Sequence, residues 1–93
     1  MTAKFKDYTW QDQNAFLEPH LVWVLEHMTQ PMPTTYVAWA LSERTGVDEK
    51  LLYRPLLRRF APHHPEWATQ DGEVSHAYGK EAVRWRWHPI KPK

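Results

Sequence analysis

The chain has no cysteine, only three glycines and only two serines among its 93 residues. Without cysteine, disulfides, thiolate nucleophiles and cysteine-ligated zinc are excluded. So few glycines leave no Gly-rich loop that could cradle a phosphate, and the adjacent Ser75 and His76 lack a third group to orient them as nucleophile and base. We therefore expect a protein that is not an enzyme and uses no cofactor.

Long hydrophobic runs are also missing. No segment approaches the roughly 20 apolar residues that span a bilayer, and the lysines near the N-terminus are not followed by the apolar stretch of a signal peptide. We therefore expect no membrane association and a cytoplasmic location.

Positive and negative charges are almost equal in number, since the formal net charge is +1. The charges are nevertheless unevenly distributed. Residues 1–49 carry three cations and seven carboxylates, whereas residues 50–93 carry nine cations and four carboxylates. The second half is therefore the expected anion-binding half.

Large aromatic side chains are abundant, with six Trp, four Tyr and three Phe. They supply rigid apolar area to the single core that a chain of this length can build. We expect one α+β domain over residues 1–93, mostly helical, with residues 1–17 as an N-terminal extension and residues 89–93 as a frayed polar tail.

The first two helices are predicted from caps and apolar spacing. Thr9 and Asp12 form a weak capping box, but Pro19 interrupts the pattern, so a fresh or kinked helix is expected over residues 19–28. A proline-containing connector follows. The second helix then begins at about residue 34 and ends at Gly46, where a left-handed residue is least costly.

A third helix is predicted from about residue 48, with Asp48 as its N-cap, to about residue 60. Leu52, Leu56 and Phe60 would face the core. Pro55 conflicts with a straight helix, so we expect a kink or a late helix start there.

Two strands, over residues 66–70 and 82–88, are predicted to form a hairpin. Asp71-Gly72 is a turn dipeptide, and residues 73–81 are expected to form a mobile tip. The second strand alternates apolar side chains, which should pack inward, with basic ones that should point outward. The inward set is Val83, Trp85 and Trp87, and the outward set is Arg84, Arg86 and His88.

From Pro19 to His88 this order of elements resembles the winged helix-turn-helix superfamily. The matching features are Thr34-Thr35 at the start of the second helix, Gly46-Val47-Asp48 at the turn, Leu52 and Leu56 in the third helix, and the strands with Trp67 and residues 83–87. The resemblance implies a three-helix core with a C-terminal two-stranded β-hairpin wing. It also implies a third helix in the major groove of double-stranded DNA and a wing on its backbone or minor groove, as in a small transcriptional regulator or accessory DNA-binding factor.

Basic residues of the third helix and the wing are the predicted DNA contacts. Lys50, Arg54 and Arg58 recur at i, i+4 and i+8, so they share the helix face opposite the apolar one. Arg54 and Tyr53 are the candidates for reading bases, and the others are expected to contact phosphates. The full set is Lys50, Tyr53, Arg54, Arg58, Arg59, Lys80, Arg84 and Arg86. The solvated face of an ordinary amphipathic helix would show the same row.

A protein-binding winged helix is the main alternative function. It would use aromatic anchors in place of cations, and the candidates are Trp10, Trp23, Trp39 and Tyr78. A homodimer through the first helix or the aromatic N-terminal segment is also left open.

Histidines offer the only candidate metal ligands that are not carboxylates. Those of the second half are His63, His64, His76 and His88. Adjacent loop histidines rarely converge on one ion, and no pair of histidines stands at helical i, i+4 spacing. We therefore expect no metal site.

Overall fold

The computed structural model describes residues 4–75 and 82–91. Two helices, a third helical segment and three strands make up the fold, so the expected α+β, mostly helical class is confirmed. The elements are a 3-10 turn at Phe5–Asp7, α1 at Trp10–His27, α2 at Thr34–Thr45, the third helical segment over residues 49–63, β1 at Met32–Pro33, β2 at Ala68–Ser75 and β3 at Ala82–Trp87. Within the described ranges, no helix combines the length and the apolar character that a bilayer crossing needs.

The first helix starts nine residues earlier than the expected residue 19. The Thr9 side chain accepts a hydrogen bond from the Asp12 backbone N–H at 3.1 Å, and α1 then continues through Pro19 to His27. Leu17 and Leu21, on either side of Pro19, are fully buried. Burial of each such leucine contributes about 1.5–3 kcal/mol, so the two together offset the roughly 3 kcal/mol cost of an interior proline. The helix start indicated by Thr9 and Asp12 is therefore confirmed, and the fresh start at Pro19, which was expected as the alternative to a kink, is wrong.

The second helix ends as its sequence predicts. Gly46 adopts the left-handed conformation, with φ of 78°, and its N–H bonds to the Ser42 carbonyl at 2.8 Å. This termination turns the chain sharply into Asp48, whose carboxylate accepts the Lys50 backbone N–H at 3.0 Å and caps the next segment.

The third helical segment changes its pitch along its length. It consists of a 3-10 turn at Glu49–Leu51, one α-helical turn at Tyr53–Pro55, a π-helical turn at Leu56–Phe60 and a 3-10 turn at Ala61–His63. The late start expected from Pro55 is confirmed, because this residue falls in the first α turn, where a backbone N–H has no helical partner to lose. Leu52, Leu56 and Phe60 are all buried, as predicted.

The strands form a three-stranded antiparallel sheet of order β1-β3-β2, in place of the expected two-stranded hairpin. The proline-flanked connector supplies β1, in which Met32 pairs with Trp87. The turn expected at Asp71-Gly72 was wrong, because both residues lie within β2. Gln70 pairs with Trp85 and Val74 pairs with Val83, so β2 has more residues than β3 between these two pairs. The pairing of the two strands is therefore irregular there. Of the tip expected over residues 73–81, residues 73–75 belong to β2, and residues 76–81 lie outside the described residues.

The middle strand closes the core over the helices. Trp87 has no exposed surface, and its indole N–H donates to the Thr34 hydroxyl at 2.9 Å. Trp85 is half-buried against the core, whereas Arg84 and Arg86 are exposed, so the predicted alternation holds at these positions. After β3, the Ile90 N–H bonds to the Leu25 carbonyl at 3.1 Å, which holds the chain against α1 where a frayed tail was expected.

Candidate nucleic-acid interface

The outer face of the third helical segment carries the predicted basic row. Lys50, Arg54 and Arg58 are exposed, opposite the fully buried Leu52 and Leu56. In the part of the chain that the structure describes, none of these three cations pairs with a carboxylate. Their positive charge is therefore directed to solvent without internal compensation.

The change of pitch alters which cations lie together. Because a π turn is wider than an α turn, it brings residues five apart onto one side. Lys50, Arg54 and Arg59 consequently line one cleft of about 370 Å³, which we call the Lys50 cleft, and Arg58 is not among its lining residues. The complete lining is Phe5, Lys6, Tyr8, Trp10, Gln13, Lys50, Leu51, Arg54, Pro55 and Arg59.

Arg59 is also a structural link between the third helical segment and the start of α1. Its guanidinium donates to the Gln13 side-chain oxygen at 2.7 Å and to the Trp10 carbonyl at 3.3 Å. Gln13 is itself buried, and its amide N–H donates to the Phe5 carbonyl at 3.1 Å. These bonds hold together the three elements that form the walls of the Lys50 cleft.

A second cleft, of about 460 Å³, adjoins the first along Trp10 and Arg59. We call it the Asn14 cleft, and its lining residues are Trp10, Gln11, Asn14, Arg59 and His63. The Trp10 side chain is 66% exposed and borders both clefts, with its ring centroid 5.5 Å from the Arg59 guanidinium carbon. Among the described residues no donor reaches the buried side-chain oxygen of Asn14.

The described residues that line the two clefts include cations but no carboxylate. Lys6, Lys50, Arg54 and Arg59 line the Lys50 cleft, and Arg59 also lines the Asn14 cleft, whereas no described Asp or Glu lines either one. Partial burial, with the neighbouring Arg54 charge as a second cause, lowers the pKa of Arg59 from its ordinary value. The lowered pKa therefore reflects first the partial burial of the guanidinium and second the nearby Arg54 charge.

The other predicted DNA-binding residues lie elsewhere. Tyr53 is half-buried and packs against the core. Arg84 and Arg86 project from the outward face of β3 and line neither cleft. Lys80 lies outside the described residues. Lys50, Arg54 and Arg59 therefore line one cleft, and the β3 arginines are not part of it.

The tryptophans named as anchors for a protein partner are all exposed, but they differ in their surroundings. Trp23 is 40% exposed, yet the His27 ring stacks on it at 3.9 Å and the Arg44 guanidinium lies 4.0 Å from its centroid. Trp39 is 51% exposed and contacts Tyr36 at 5.8 Å between ring centroids. Tyr78 lies outside the described residues.

The described histidines make contacts within the chain or border a cleft. His64 stacks on Trp67 at 3.9 Å and bonds to the Glu66 carboxylate at 2.9 Å, and His88 bonds to the Thr69 hydroxyl at 2.7 Å. His63 lines the Asn14 cleft. Over residues 4–75 and 82–91, no group of three His, Asp or Glu side chains is placed to hold a metal ion. His76 lies outside those ranges.

The sequence did not indicate that Lys6 and Leu51 line a cleft of this surface, or that Trp10 lies among cations. The capping pattern at Thr9 indicates that Trp10 starts a helix, but nothing local indicates which segment lies beside that helix end.

Comparison of the chain with protein-family models, with curated proteins and with solved structures found no significant match in any of the three.

Proposed function

We propose that this chain is a winged helix-turn-helix domain that binds double-stranded DNA through its third helical segment and the outward face of β3. The observation that carries the proposal is the exposed row of Lys50, Arg54 and Arg58, which has no carboxylate partners among the described residues and lies opposite a fully buried apolar face. Such a row supplies the phosphate contacts that dominate affinity for a duplex.

The order of elements supports the same proposal. Two helices, a third helical segment and a hairpin of β2 and β3 follow one another as the resemblance implies, and β1 adds one short strand at the edge of that hairpin. The third segment departs from a regular recognition helix, because only Tyr53–Pro55 is α-helical and Tyr53 packs against the core. We therefore expect contacts mainly to phosphates and little sequence preference.

Titration of a labelled DNA duplex at about 50 mM and about 200 mM salt tests this function. Arg58→Ala and Arg84→Ala should each weaken binding almost equally for all sequences and reduce the salt-dependence slope by about one unit, because each removes one phosphate contact. Lys91→Ala is the matched control, since it removes an exposed cation outside the third segment and the hairpin. A wild-type dissociation constant weaker than about 0.1 mM at low salt would refute duplex binding.

A protein-binding winged helix is the second candidate, and the exposure of Trp39 is the observation that favours it. A half-exposed indole on α2, away from both basic clefts, is typical of interface anchors. A second copy of the chain is the partner that can be tested directly. Sedimentation velocity should then show a dimer for the wild type and a monomer for Trp39→Ala, whereas a monomer for both excludes self-association through this surface.

A further inference from the structure

Trp10 and the clefts beside it combine two kinds of binding group. The indole is 66% exposed, and Leu51, which lines the Lys50 cleft, is 41% exposed. Four cations surround these apolar groups: Lys6, Lys50, Arg54 and Arg59. A ligand that uses both features must carry negative charge beside a flat apolar group.

The positive charge here is not compensated within the described chain. No described carboxylate lines either cleft, and Arg59 is bound to the neutral Gln13 amide and the Trp10 carbonyl. Like charges held together in a partly buried place repel each other, and a bound anion would remove that repulsion. The site therefore favours a polyanion.

The backbone that carries the Trp10 indole is held in position before any ligand binds. Trp10 is the first residue of α1, whose start is capped by Thr9, and its backbone carbonyl accepts the Arg59 hydrogen bond. A side chain on a fixed backbone loses less conformational freedom on binding. Each cleft also has a volume in the range of sites that hold small organic molecules.

We propose that this surface binds single-stranded nucleic acid, with the Trp10 indole stacked on one unpaired base and with Lys50 and Arg54 on the neighbouring phosphates. Single-strand sites in general combine a basic groove with aromatic stacking platforms. The acidic side chains of a peptide would satisfy the cations, but they have no planar ring to stack on the indole, whereas every nucleotide carries its planar base next to a phosphate. This inference extends the proposed duplex binding and shares Lys50 and Arg54 with it.

Titration of a fluorescein-labelled oligothymidylate with the full chain at low salt tests the proposal. Trp10→Ala should weaken binding by about ten-fold or more, which is the scale of losing one stacked base, and Trp10→Phe should retain most of the affinity. Trp39→Ala is the matched control, because it removes another exposed indole that lines neither cleft. Lys50→Gln and Arg54→Gln should each reduce the salt slope by about 0.7, the value for one phosphate of a single strand.

Three results would overturn the proposal. The first is that the wild-type chain does not bind the oligonucleotide, and the second is that Trp10→Ala and Trp39→Ala reduce the affinity equally. The third is that a labelled oligoglutamate peptide binds as tightly as the oligonucleotide, with the same dependence on Trp10. The last result would assign the surface to an acidic protein segment. Thermal melting of each variant checks that it folds, and Trp10→Ala should fold because the Arg59 bond goes to its backbone carbonyl.

The same variants separate this proposal from duplex binding. Trp10→Ala should keep the duplex affinity within about two-fold of the wild-type value, because the indole is not part of the third helical segment or of β3. A chain that binds duplex but not single strands refutes only the present inference, and a chain with the opposite preference refutes only the proposed function.

Discussion

Replacement of Thr34 by valine tests how the sheet is joined to α2. Thr34 is only 9% exposed, and its hydroxyl accepts the hydrogen bond from the fully buried Trp87 indole at 2.9 Å. Valine keeps the β-branched shape but has no acceptor, so the indole N–H would stay buried without a partner. That loss costs about 1–3 kcal/mol. For a domain of this size, each kcal/mol lowers the melting temperature by roughly 4–8 °C.

Denaturant unfolding followed by circular dichroism measures the loss, and Thr35→Val on the same helical turn is the control. Thr35 is exposed, so its substitution should change the free energy of unfolding by less than about 0.5 kcal/mol. In a Trp87→Phe background, which has no indole N–H, Thr34→Val should also cost little. Equal losses for Thr34→Val in the two backgrounds would refute the role assigned to this hydrogen bond.

Three further predictions concern the helix ends and one ionisable pair. Thr9→Ala should lower the free energy of unfolding by about 1 kcal/mol in a denaturant melt, because the Asp12 N–H loses its cap; an unchanged midpoint would contradict the assigned start of α1. In the same denaturant melt, Gly46→Ala should lower the free energy of unfolding by about 1–2 kcal/mol, because alanine is strained at this positive φ. No described atom lies within 4 Å of an added Cβ, so no steric clash adds to the strain, and Gly46→Asn should lower the stability less. The hydrogen bond from His64 lowers the pKa of Glu66, so any stability linked to this carboxylate is present above its ordinary pKa and is lost as pH falls through the lowered one. His64→Phe, which keeps a ring beside Trp67 but has no N–H, should raise the pKa of Glu66 towards its ordinary value in an NMR titration, and no change would exclude the bond.

Local signals predicted those parts of the fold that depend on neighbouring residues. Gly46 ends α2, Asp48 caps the third segment, and the alternation along β3 buries Trp87 while exposing Arg86. Each of these outcomes follows from backbone conformation or from a period of two residues. They required no knowledge of where the rest of the chain lies.

The features that sequence reasoning missed depend on distant partners. Pro19 remains inside α1 because of the burial of leucines on both sides of it, and Met32 becomes a strand only because Trp87 lies beside it. The π turn over Leu56–Phe60 is a further feature that the sequence did not indicate. Its consequence, which is that Arg59 and not Arg58 joins the Lys50 cleft, could not be predicted from an ideal helical period.

The short strand β1 also bears on how the molecule avoids aggregation. As an outer strand of the sheet it offers only two residues, and one of them, Pro33, has no N–H to donate to an incoming strand. The opposite outer strand, β2, carries the irregularity between Gln70 and Val74, which interrupts its row of pairing groups. Over the described residues, neither border of the sheet therefore offers a long regular template for addition of another strand.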